Sequence, residues 1–341
     1  MRQNRFCFNI TSRPVDPTNY LFVRVLVLTG AGVSAESGIP TFRGNEGYWR
    51  NLDPAKLATP EAFQNDPKLV WEWYRERRER IRAAQPNLAH KAIARLAQHA
   101  HEFLLVTQNV DDLHARAEWE GYRLPKEKMV QIHGDIFMTR CSRCDFVDTG
   151  RGGSPQPPAP RAIYPSSGRL RSIAPTSAQP DQEQEEKKIP ECPGCRALMR
   201  PGVVWFGEQL DPREIERVEN YLDRGPCDFV IVAGTTATFG YIIDWALPAQ
   251  DNVGRLIEVN PNETPLSSFA TETIRQSAAV ALPRLIADIL SDVRFGKDLL
   301  LSPNSASQPC PREARLLALS GPESRVSHTG ARAETGYTAF V

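Results

Sequence analysis

The stretch FVRVLVLT, residues 22–29, runs without a break into GAGVSAESGIP, residues 30–40. β-Branched residues and leucines fill the first segment, as in a strand that is buried on both faces. Gly30, Gly32 and Ala35 then form the pattern GxGxx(G/A), directly after the strand and at the predicted start of a helix. Such glycines permit a tight turn and let the backbone approach a pyrophosphate at the helix N-terminus. The pattern favours a dinucleotide site over a merely tight strand–helix turn.

Strand and helix patterns alternate along much of the remaining chain, which predicts an α/β protein with a Rossmann-like, doubly wound parallel sheet. The predicted elements are helices at 67–82 and 87–99, a strand at 101–109, a helix at 211–222, strands at 227–235 and 254–260, and a last helix at 282–293.

Two segments interrupt this alternation, and we expect them to form a smaller second domain. The smaller domain comprises 49–87 and 139–201, and the large dinucleotide-binding domain comprises 21–48, 88–138 and 202–295. Residues 150–190 are rich in Pro, Ser, Gly and Gln, which predicts a flexible insertion. The leader 1–20 and the tail 296–341 lack sustained periodicity and are predicted to be disordered.

Composition argues against two classes of partner. The 341 residues contain 41 Lys plus Arg and 41 Asp plus Glu, so the net charge does not favour nucleic acid. The longest apolar run, around Val25–Leu28, is far shorter than a membrane span. The leader carries Arg2, Arg5 and Arg13, which suits a mitochondrial presequence and a disordered leader equally well.

One part of the dinucleotide fingerprint is missing. Dehydrogenases that transfer hydride carry an acidic residue about 20 positions after the glycines, at the end of a second strand. Here that region reads PTFRGNEGYW, residues 40–49, which is not a strand pattern, and Asp53 lies outside a strand context. The sequence therefore predicts an unusual mode of dinucleotide binding and makes hydride transfer a poorer hypothesis.

Four of the seven cysteines form two CxxC pairs, Cys141 with Cys144 and Cys192 with Cys195. Each pair can supply two thiolates to one tetrahedral zinc, and four thiolates leave no open position for a substrate. We therefore expect a structural zinc. Two independent redox motifs are the alternative, but they would need a thioredoxin-like context. The remaining cysteines are expected to be inert: Cys7, Cys227 and Cys310.

Polar residues follow predicted strands in TQNVDDLH, 107–114, and QIHGD, 131–135. The carboxyl ends of parallel strands are where open α/β sheets bind ligands. Amide and carboxylate groups suit a carboxamide and ribose hydroxyls, and histidine is the usual base near neutral pH. Taken singly, each residue could instead be a turn former, a helix cap or a surface histidine. The candidates are Gln108, Asn109, Asp111 and His133, while no role is predicted for His90, His99, His101, His114 and His328.

Together these motifs resemble the sirtuins in order and spacing over about residues 22–290. The motifs are GAGVSAESGIPTFRG at 30–44, TQNVDDLH at 107–114, IHGD at 132–135, the two CxxC pairs, RPGVVWFGE at 200–208 and VAGTT at 232–236. The resemblance implies an NAD-dependent protein-lysine deacylase with a Rossmann-type NAD-binding domain and a cleft beside a smaller, inserted domain. That smaller domain would consist of a helical part and a zinc ribbon that holds a structural zinc. Its partners would be acylated lysine side chains of proteins.

The resemblance also assigns site residues. Around the NAD loop it implies Gly30, Ala31, Gly32, Ser34, Ala35, Glu36, Pro40, Thr41, Phe42, Arg43, Tyr48 and Trp49. The nicotinamide and its ribose would lie near Gln108, Asn109, Val110 and Asp111, and the adenosine side near Gly234, Thr235, Thr236, Asn260, Pro261, Asn262 and Ala278. In the implied reaction the acyl oxygen attacks the ribose carbon and expels nicotinamide. His133 then helps to activate a ribose hydroxyl, and the acyl group leaves on ADP-ribose. The substrate peptide would pair as an added strand with Val204, Trp205, Phe206 and Gly207.

The stretch WEWYRERRER, 71–80, indicates an acyl preference. Sirtuins that remove succinyl, malonyl or glutaryl groups carry a Tyr and an Arg three residues apart, and here these would be Tyr74 and Arg77. Residues i and i+3 share a helix face, and a guanidinium with a phenol suits a carboxylate. The alternative is a charged surface helix. The other arginines of the stretch are expected to be solvated beside Glu72, Glu76 and Glu79: Arg75, Arg78 and Arg80.

The chain departs from the family pattern at three places, one of which is the leader 1–20, where the helix usually found before the first strand is not predicted. The other two lie later in the chain. After VAGTT it reads ATFGYIID, 237–244, and at 276–279 it reads QSAA, without the usual glycine. We expect both changes to affect the adenosine side and to leave the ribose end and the acyl pocket untouched. Three alternative functions remain: an ADP-ribosyltransferase, a weak deacetylase on the same site, and an NAD-binding zinc module without turnover.

Overall fold

A computed structural model describes residues 21–41, 53–150, 188–250 and 254–294. The predictions for the leader, for the insertion at 150–190 (apart from its ends) and for the tail fall outside these ranges. Four predicted NAD contacts also lie outside the described residues: Phe42, Arg43, Tyr48 and Trp49. The suggested mitochondrial location, which depends on the leader, stays a prediction.

A six-stranded sheet forms the centre of the molecule, and every strand pair in it is parallel. Its strands are β1 (Leu21–Thr29), β2 (Ala100–Thr107), β5 (Met129–Gln131), β9 (Phe229–Ala233), β10 (Arg255–Val259) and β11 (Glu272–Ile274). Their order across the sheet is β11-β10-β9-β1-β2-β5. A short antiparallel pair, β3 (Glu118–Trp119) and β4 (Tyr122–Arg123), precedes β5. The predicted parallel, Rossmann-like sheet is confirmed.

Helices cover both faces of this sheet because alternate residues of β1 point to opposite sides. Val25 and Val27 pack with α4 (Leu88–His99) and α8 (Ala278–Arg294), whereas Leu26 and Leu28 pack with α6 (Pro212–Leu222) and α7 (Gly240–Gln250). The last helix begins four residues before the predicted start. The other predicted helices and strands agree with the structure to within about two residues, apart from the helix predicted at the glycine turn.

The glycine turn does not open an α-helix, contrary to the sequence prediction. Two 3-10 turns follow β1, at Ala31–Val33 and Ala35–Ser37. The Gly32 N–H donates to the Gly234 carbonyl at 2.8 Å, so the turn pairs with the end of β9. A Cβ on Gly30 or Gly32 would lie 2.8 Å from Gly234 or Thr235 atoms. Close approach of two backbone segments therefore requires these glycines.

The smaller part combines three helices with a three-stranded antiparallel sheet of order β7-β6-β8. Its elements are α1 (Pro54–Leu57), α2 (Pro60–Asn65), α3 (Pro67–Ala83), β6 (Gly134–Cys141), β7 (Val147–Asp148) and β8 (Met199–Val203). Residues from α3, β6 and β8 share one apolar cluster that contains Trp73, Ile136 and Val203. The proposed division of the chain at 138/139 lies inside β6, and the domain division stays a prediction. Among the described residues, no helix is both long and apolar enough to cross a membrane.

Candidate active site and metal centre

Three of the predicted nicotinamide-side and NAD-loop residues meet in one buried hydrogen-bond network. Asn109 Nδ2 donates to Ser34 Oγ at 3.1 Å, and Ser34 Oγ donates to Asp111 Oδ2 at 2.9 Å. Asp111 also accepts the Leu113 N–H, at the start of α5 (Leu113–Arg116). Burial raises the pKa of Asp111, although these hydrogen bonds oppose the shift. The 3-10 turn after β1 and the loop after β2 are thus joined through side chains.

Two histidines for which the sequence predicted no role lie under this network. His90 Nε2 is 3.4 Å from Ser34 Oγ, and His114 Nε2 is 3.2 Å from Thr29 Oγ1. Burial lowers the pKa of His90 to about 3 and that of His114 well below its usual value. Asn87, the N-cap of α4, donates its N–H to His90 Nδ1. The Asn-x-x-His spacing at the start of a helix is the signal that could have located His90.

His133 lies at the end of β5, with both ring nitrogens engaged. Nδ1 is 3.0 Å from the Gln108 carbonyl oxygen, and Nε2 is 2.8 Å from the Tyr241 hydroxyl. Burial lowers the pKa of His133 to about 4, so the imidazole is neutral at neutral pH. A neutral imidazole can accept a proton, which suits the predicted role of a base.

The segment that departs from the family pattern after VAGTT contacts His133, which we did not expect from the sequence. Tyr241 contacts His133 directly, and the Phe239 ring centroid is 5.6 Å from that of His133. This contact is made by the tertiary structure. Gly240 begins α7 beside β9, and the first turn of this helix faces the end of β5. Ala237, with φ of 49°, completes the turn between β9 and α7.

The predicted adenosine-side residues connect to the same centre. Thr235 Oγ1 donates to Gln108 Oε1 at 2.6 Å, and Asn260 Nδ2 donates to the Thr235 carbonyl at 2.6 Å. Asn260 Oδ1 in turn accepts the Asn262 N–H at 3.0 Å. Thr236 Oγ1 lies 3.1 Å from Thr238 Oγ1. The remaining predicted contacts differ in burial: Ala278 is buried, Ala31, Pro40, Thr41 and Val110 are partly buried, and Ala35, Glu36 and Pro261 are exposed.

The predicted carboxylate-binding pair lies on the buried side of α3. Tyr74 is 3% exposed, and its hydroxyl accepts a hydrogen bond from Trp205 Nε1 at 2.9 Å. Arg77 is partly buried, with its guanidinium carbon 4.8 Å from the Trp73 ring centroid. Burial raises the pKa of Tyr74 to about 12 and lowers that of Arg77, with Asp111 as a further charge acting on Arg77. A neutral phenol and a cation therefore lie side by side.

The other arginines of α3 differ from one another, and the expectation that all are solvated is wrong for Arg78. Its Nε donates to the Ile136 carbonyl at 2.6 Å, and its Nη2 donates to the Met138 carbonyl at 2.9 Å. Strand β6 changes register against β8 between Gly134 and Thr139, and Arg78 binds carbonyls in that irregular segment. Arg80 forms the expected surface pair with Glu76, and Arg75 Nη2 lies 3.4 Å from the Lys188 carbonyl.

The predicted peptide-binding segment follows β8. Its N–H groups donate within the chain: Val204 to the His133 carbonyl, Trp205 to Glu208 Oε2, and Phe206 to the Ala58 carbonyl. Gly207 adopts a positive φ of 82°. A peptide strand added here could not pair with these three N–H groups while their bonds persist, and the peptide pairing stays a prediction.

The four predicted zinc ligands form one cluster, with all Sγ atoms within 4.8 Å of one another. The Sγ atoms of Cys141 and Cys195 are 3.4 Å apart, and those of Cys144 and Cys192 are 3.6 Å apart. Thiolates about 2.3 Å from a tetrahedral zinc would lie about 3.8 Å apart, so the cluster fits one zinc with only small shifts. The site is closed by four cysteines and lies at the far end of β6 from His133, which is the arrangement of a structural metal.

Comparisons with known proteins agree with this geometry. Residues 30–239 match the model of the Sir2 family. The "NAD-dependent protein deacylase 1" of Archaeoglobus fulgidus is 37% identical over 265 residues, covering 78% of this chain and 92% of the relative. An "NAD-dependent protein deacylase" of Thermococcus kodakarensis is 38% identical over 270 residues, with coverage of 78% and 92%.

Solved structures show the same fold. A crystal structure described as a Sir2 homolog–NAD complex matches with a TM-score of 0.60 and 37% identity, covering 80% of this chain and 91% of that one. A second, described as Sir2–p53 peptide–NAD+, matches with a TM-score of 0.58 and 25% identity, with coverage of 78% and 92%.

Proposed function

The chain belongs to the Sir2 family of NAD-dependent protein deacylases, and we propose that its substrates are lysines whose acyl group ends in a carboxylate. Succinyl-, malonyl- and glutaryl-lysine are such substrates. The observation that carries this proposal is the pair formed by Tyr74 and Arg77 on the buried side of α3.

The chemistry of the pair favours a carboxylate. The Trp205 indole fills one acceptor site of the Tyr74 oxygen, so the phenol proton remains available to donate. Burial depresses the pKa of Arg77, which means that the charged guanidinium is held at a cost. A bound carboxylate would offset that cost and accept charge-assisted hydrogen bonds from both groups. An acetyl group offers neither benefit.

The remaining chemistry follows from the groups around His133. NAD, as co-substrate, supplies a ribose carbon that accepts the acyl oxygen and nicotinamide as the leaving group. Ser34, Asn109 and Asp111 present the polar groups that would hold the nicotinamide ribose. His133, neutral because burial lowers its pKa to about 4, would then take a proton from a ribose hydroxyl. A related Sir2 structure is described as a 2'-O-acetyl ADP ribose complex, which supports transfer of the acyl group to ADP-ribose.

The test compares acyl groups on one peptide sequence. Arg77→Met should lower kcat/KM for succinyl-lysine about 10²–10⁴-fold, because charge-assisted hydrogen bonds are lost and the carboxylate is left unpaired in a pocket. Turnover of acetyl-lysine should hold steady or rise. Tyr74→Phe should show the same preference at smaller magnitude. Arg80→Met, an exposed arginine on the same helix, is the matched control and should leave both substrates unchanged.

Three outcomes would count against the proposal in different ways. A parallel loss for acetyl and succinyl substrates in Arg77→Met would mean that the helix was disturbed and that no carboxylate site exists. A His133→Ala protein that still produced O-acyl-ADP-ribose at near-normal rate would remove the base from the scheme. ADP-ribose attached to the peptide, with the acyl group retained, would instead identify an ADP-ribosyltransferase.

A further inference from the structure

The hydrogen-bond roles around His133 follow from which atoms can only donate or only accept. The Gln108 backbone carbonyl, 3.0 Å from His133 Nδ1, can only accept, so Nδ1 carries the proton. In a neutral imidazole Nε2 is then the acceptor. The Tyr241 hydroxyl, 2.8 Å from Nε2, must therefore be the donor of that bond.

The side chain of Gln108 prevents the Tyr241 hydroxyl from pointing its proton away from His133. The Gln108 side-chain amide donates from Nε2 to Tyr241 Oη at 3.0 Å, and the Gln108 Oε1 atom accepts from Thr235 Oγ1 at 2.6 Å. If the phenol proton pointed toward Gln108, it would meet an N–H donor. The hydrogen bonds therefore run, from donor to acceptor, from Thr235 to Gln108, from Gln108 to Tyr241, and from Tyr241 to His133 Nε2.

Packing holds the tyrosine ring in place. Tyr241 is 2% exposed, stacks on Phe239 with centroids 5.7 Å apart, and lies 5.0 Å from the Trp245 ring. The Phe239 and Tyr241 rings both lie edge-on to the His133 ring, with centroids 5.6 and 6.2 Å from its centroid. Burial raises the pKa of Tyr241, so the phenol keeps its proton.

We infer that Tyr241 is a positioning residue for His133. Its hydroxyl holds the imidazole neutral, with Nδ1 protonated and Nε2 as the acceptor, which is the form that a base requires. The inference rests on the proposed role of His133 and adds a residue that the glycine-turn and strand-end motifs do not contain. Nε2 has a single lone pair, so a ribose hydroxyl can give its proton to His133 only when the Tyr241 hydroxyl has moved off Nε2.

The first measurement needs no variant. In protein with ¹⁵N-labelled histidine and no NAD, the His133 ring should show the tautomer with Nδ1 protonated. The signals of His133 are identified by their loss in His133→Ala. An Nε2-protonated ring would overturn the inference, because the Tyr241 hydroxyl could not then be the donor.

The second measurement is the titration of His133 in Tyr241→Phe, which keeps the aromatic packing. Donation to Nε2 stabilises the neutral ring, so its loss should raise the pKa of His133 by about one unit, the size of one hydrogen bond. Tyr221→Phe is the matched control: Tyr221 is also buried, and its hydroxyl donates to the Val25 carbonyl, away from the site. This control should leave the titration of His133 unchanged.

Equal pKa values for His133 in wild type and Tyr241→Phe would overturn the inference, as would an equal rise in Tyr221→Phe. Both measurements are made without acyl-lysine, so they stand even if the Arg77 proposal fails. Conversely, full activity in His133→Ala would remove the base role but would leave the predicted tautomer and the Tyr241 bond in place.

Discussion

At the scale of single residues, burial sets the protonation of the site. His90, His114 and His133 all have a pKa lowered chiefly by burial, and each imidazole has a hydrogen-bond partner that the neutral ring can satisfy. His90 and His114 also lie ring to ring, with centroids 4.7 Å apart, so two positive charges there would repel. The folded state therefore excludes protons that the unfolded chain would bind.

Because the folded protein excludes protons from these buried histidines, we expect it to lose stability in mild acid. An unfolded histidine has a pKa of about 6.5, whereas the pKa of His90 is about 3 when folded. Between these values the unfolded state binds more protons, so the free energy of unfolding falls as pH falls, by up to about 1.4 kcal/mol per pH unit for each buried histidine. The measurement is denaturant unfolding at pH 7, 6 and 5.

A pair of variants isolates the effect. His114→Gln removes one buried titrating group, so its free energy of unfolding should fall less steeply between pH 6 and 5 than that of wild type. His101→Gln, at an exposed position, should keep the wild-type slope. Identical slopes for all three proteins would show that buried His114 does not govern acid stability.

At the scale of elements, the buried side of α3 carries residues with different roles. Tyr74 and Arg77 face the proposed acyl site, while Arg78 and Trp71 attach the helix to the small sheet. Trp71 Nε1 donates to the Met199 carbonyl at 3.0 Å, and Arg78 binds two carbonyls of β6. The orientation of the acyl pair thus depends on contacts made by its neighbours in the same helix.

Arg78→Met should therefore destabilise the small sheet. It leaves the Ile136 and Met138 carbonyls without their guanidinium donor, at a cost of about 2–4 kcal/mol. Amide hydrogen exchange in β6 should accelerate accordingly. Arg80→Met, which loses one exposed ion pair with Glu76, should change exchange in β6 very little. Equal exchange rates in the two variants would show that Arg78 does not hold the strand.

At the scale of the whole molecule, two strands connect the metal centre to the active site. β6 runs from Gly134, next to His133, to the zinc ligand Cys141, and β8 leads back toward Trp205. Glu208 secures the returning end: it pairs with Arg200 at 2.5 Å and accepts the Trp205 N–H at 2.8 Å. Zinc should therefore support the proposed acyl site from a distance.

Loss of zinc should destabilise β6 and β8, the two strands that connect the metal centre to the active site. In Cys192→Ser we expect loss of bound metal and rapid hydrogen exchange in β6 and β8, because metal binding at a structural site contributes directly to folding. Cys227→Ser, at a buried cysteine outside the cluster, should retain one zinc per chain. Stoichiometric zinc in Cys192→Ser, or its absence from freshly purified wild type, would contradict the assignment.

Much of this arrangement was predictable from local pattern. The alternation of strands and helices indicates the parallel sheet, and the residue period places Val25 and Leu26 on opposite faces. The two CxxC pairs specify a four-thiolate site because zinc demands that ligand number. The sheet and the buried faces of its strands depend on residues that are close together in the chain. The zinc site depends on a set of four cysteines that few other functions require.

The contacts of Gly32, Arg78 and Tyr241 were decided only by the tertiary structure. Gly32 pairs with Gly234, Arg78 with β6, and Tyr241 with His133, in each case across a long separation in sequence. A periodic pattern reports which face of an element is buried, but not which side chain of a distant element meets it. Packing of α7 against the end of the sheet places Tyr241 at Nε2 of His133, because a buried hydroxyl and a buried imidazole each need a partner that water cannot supply.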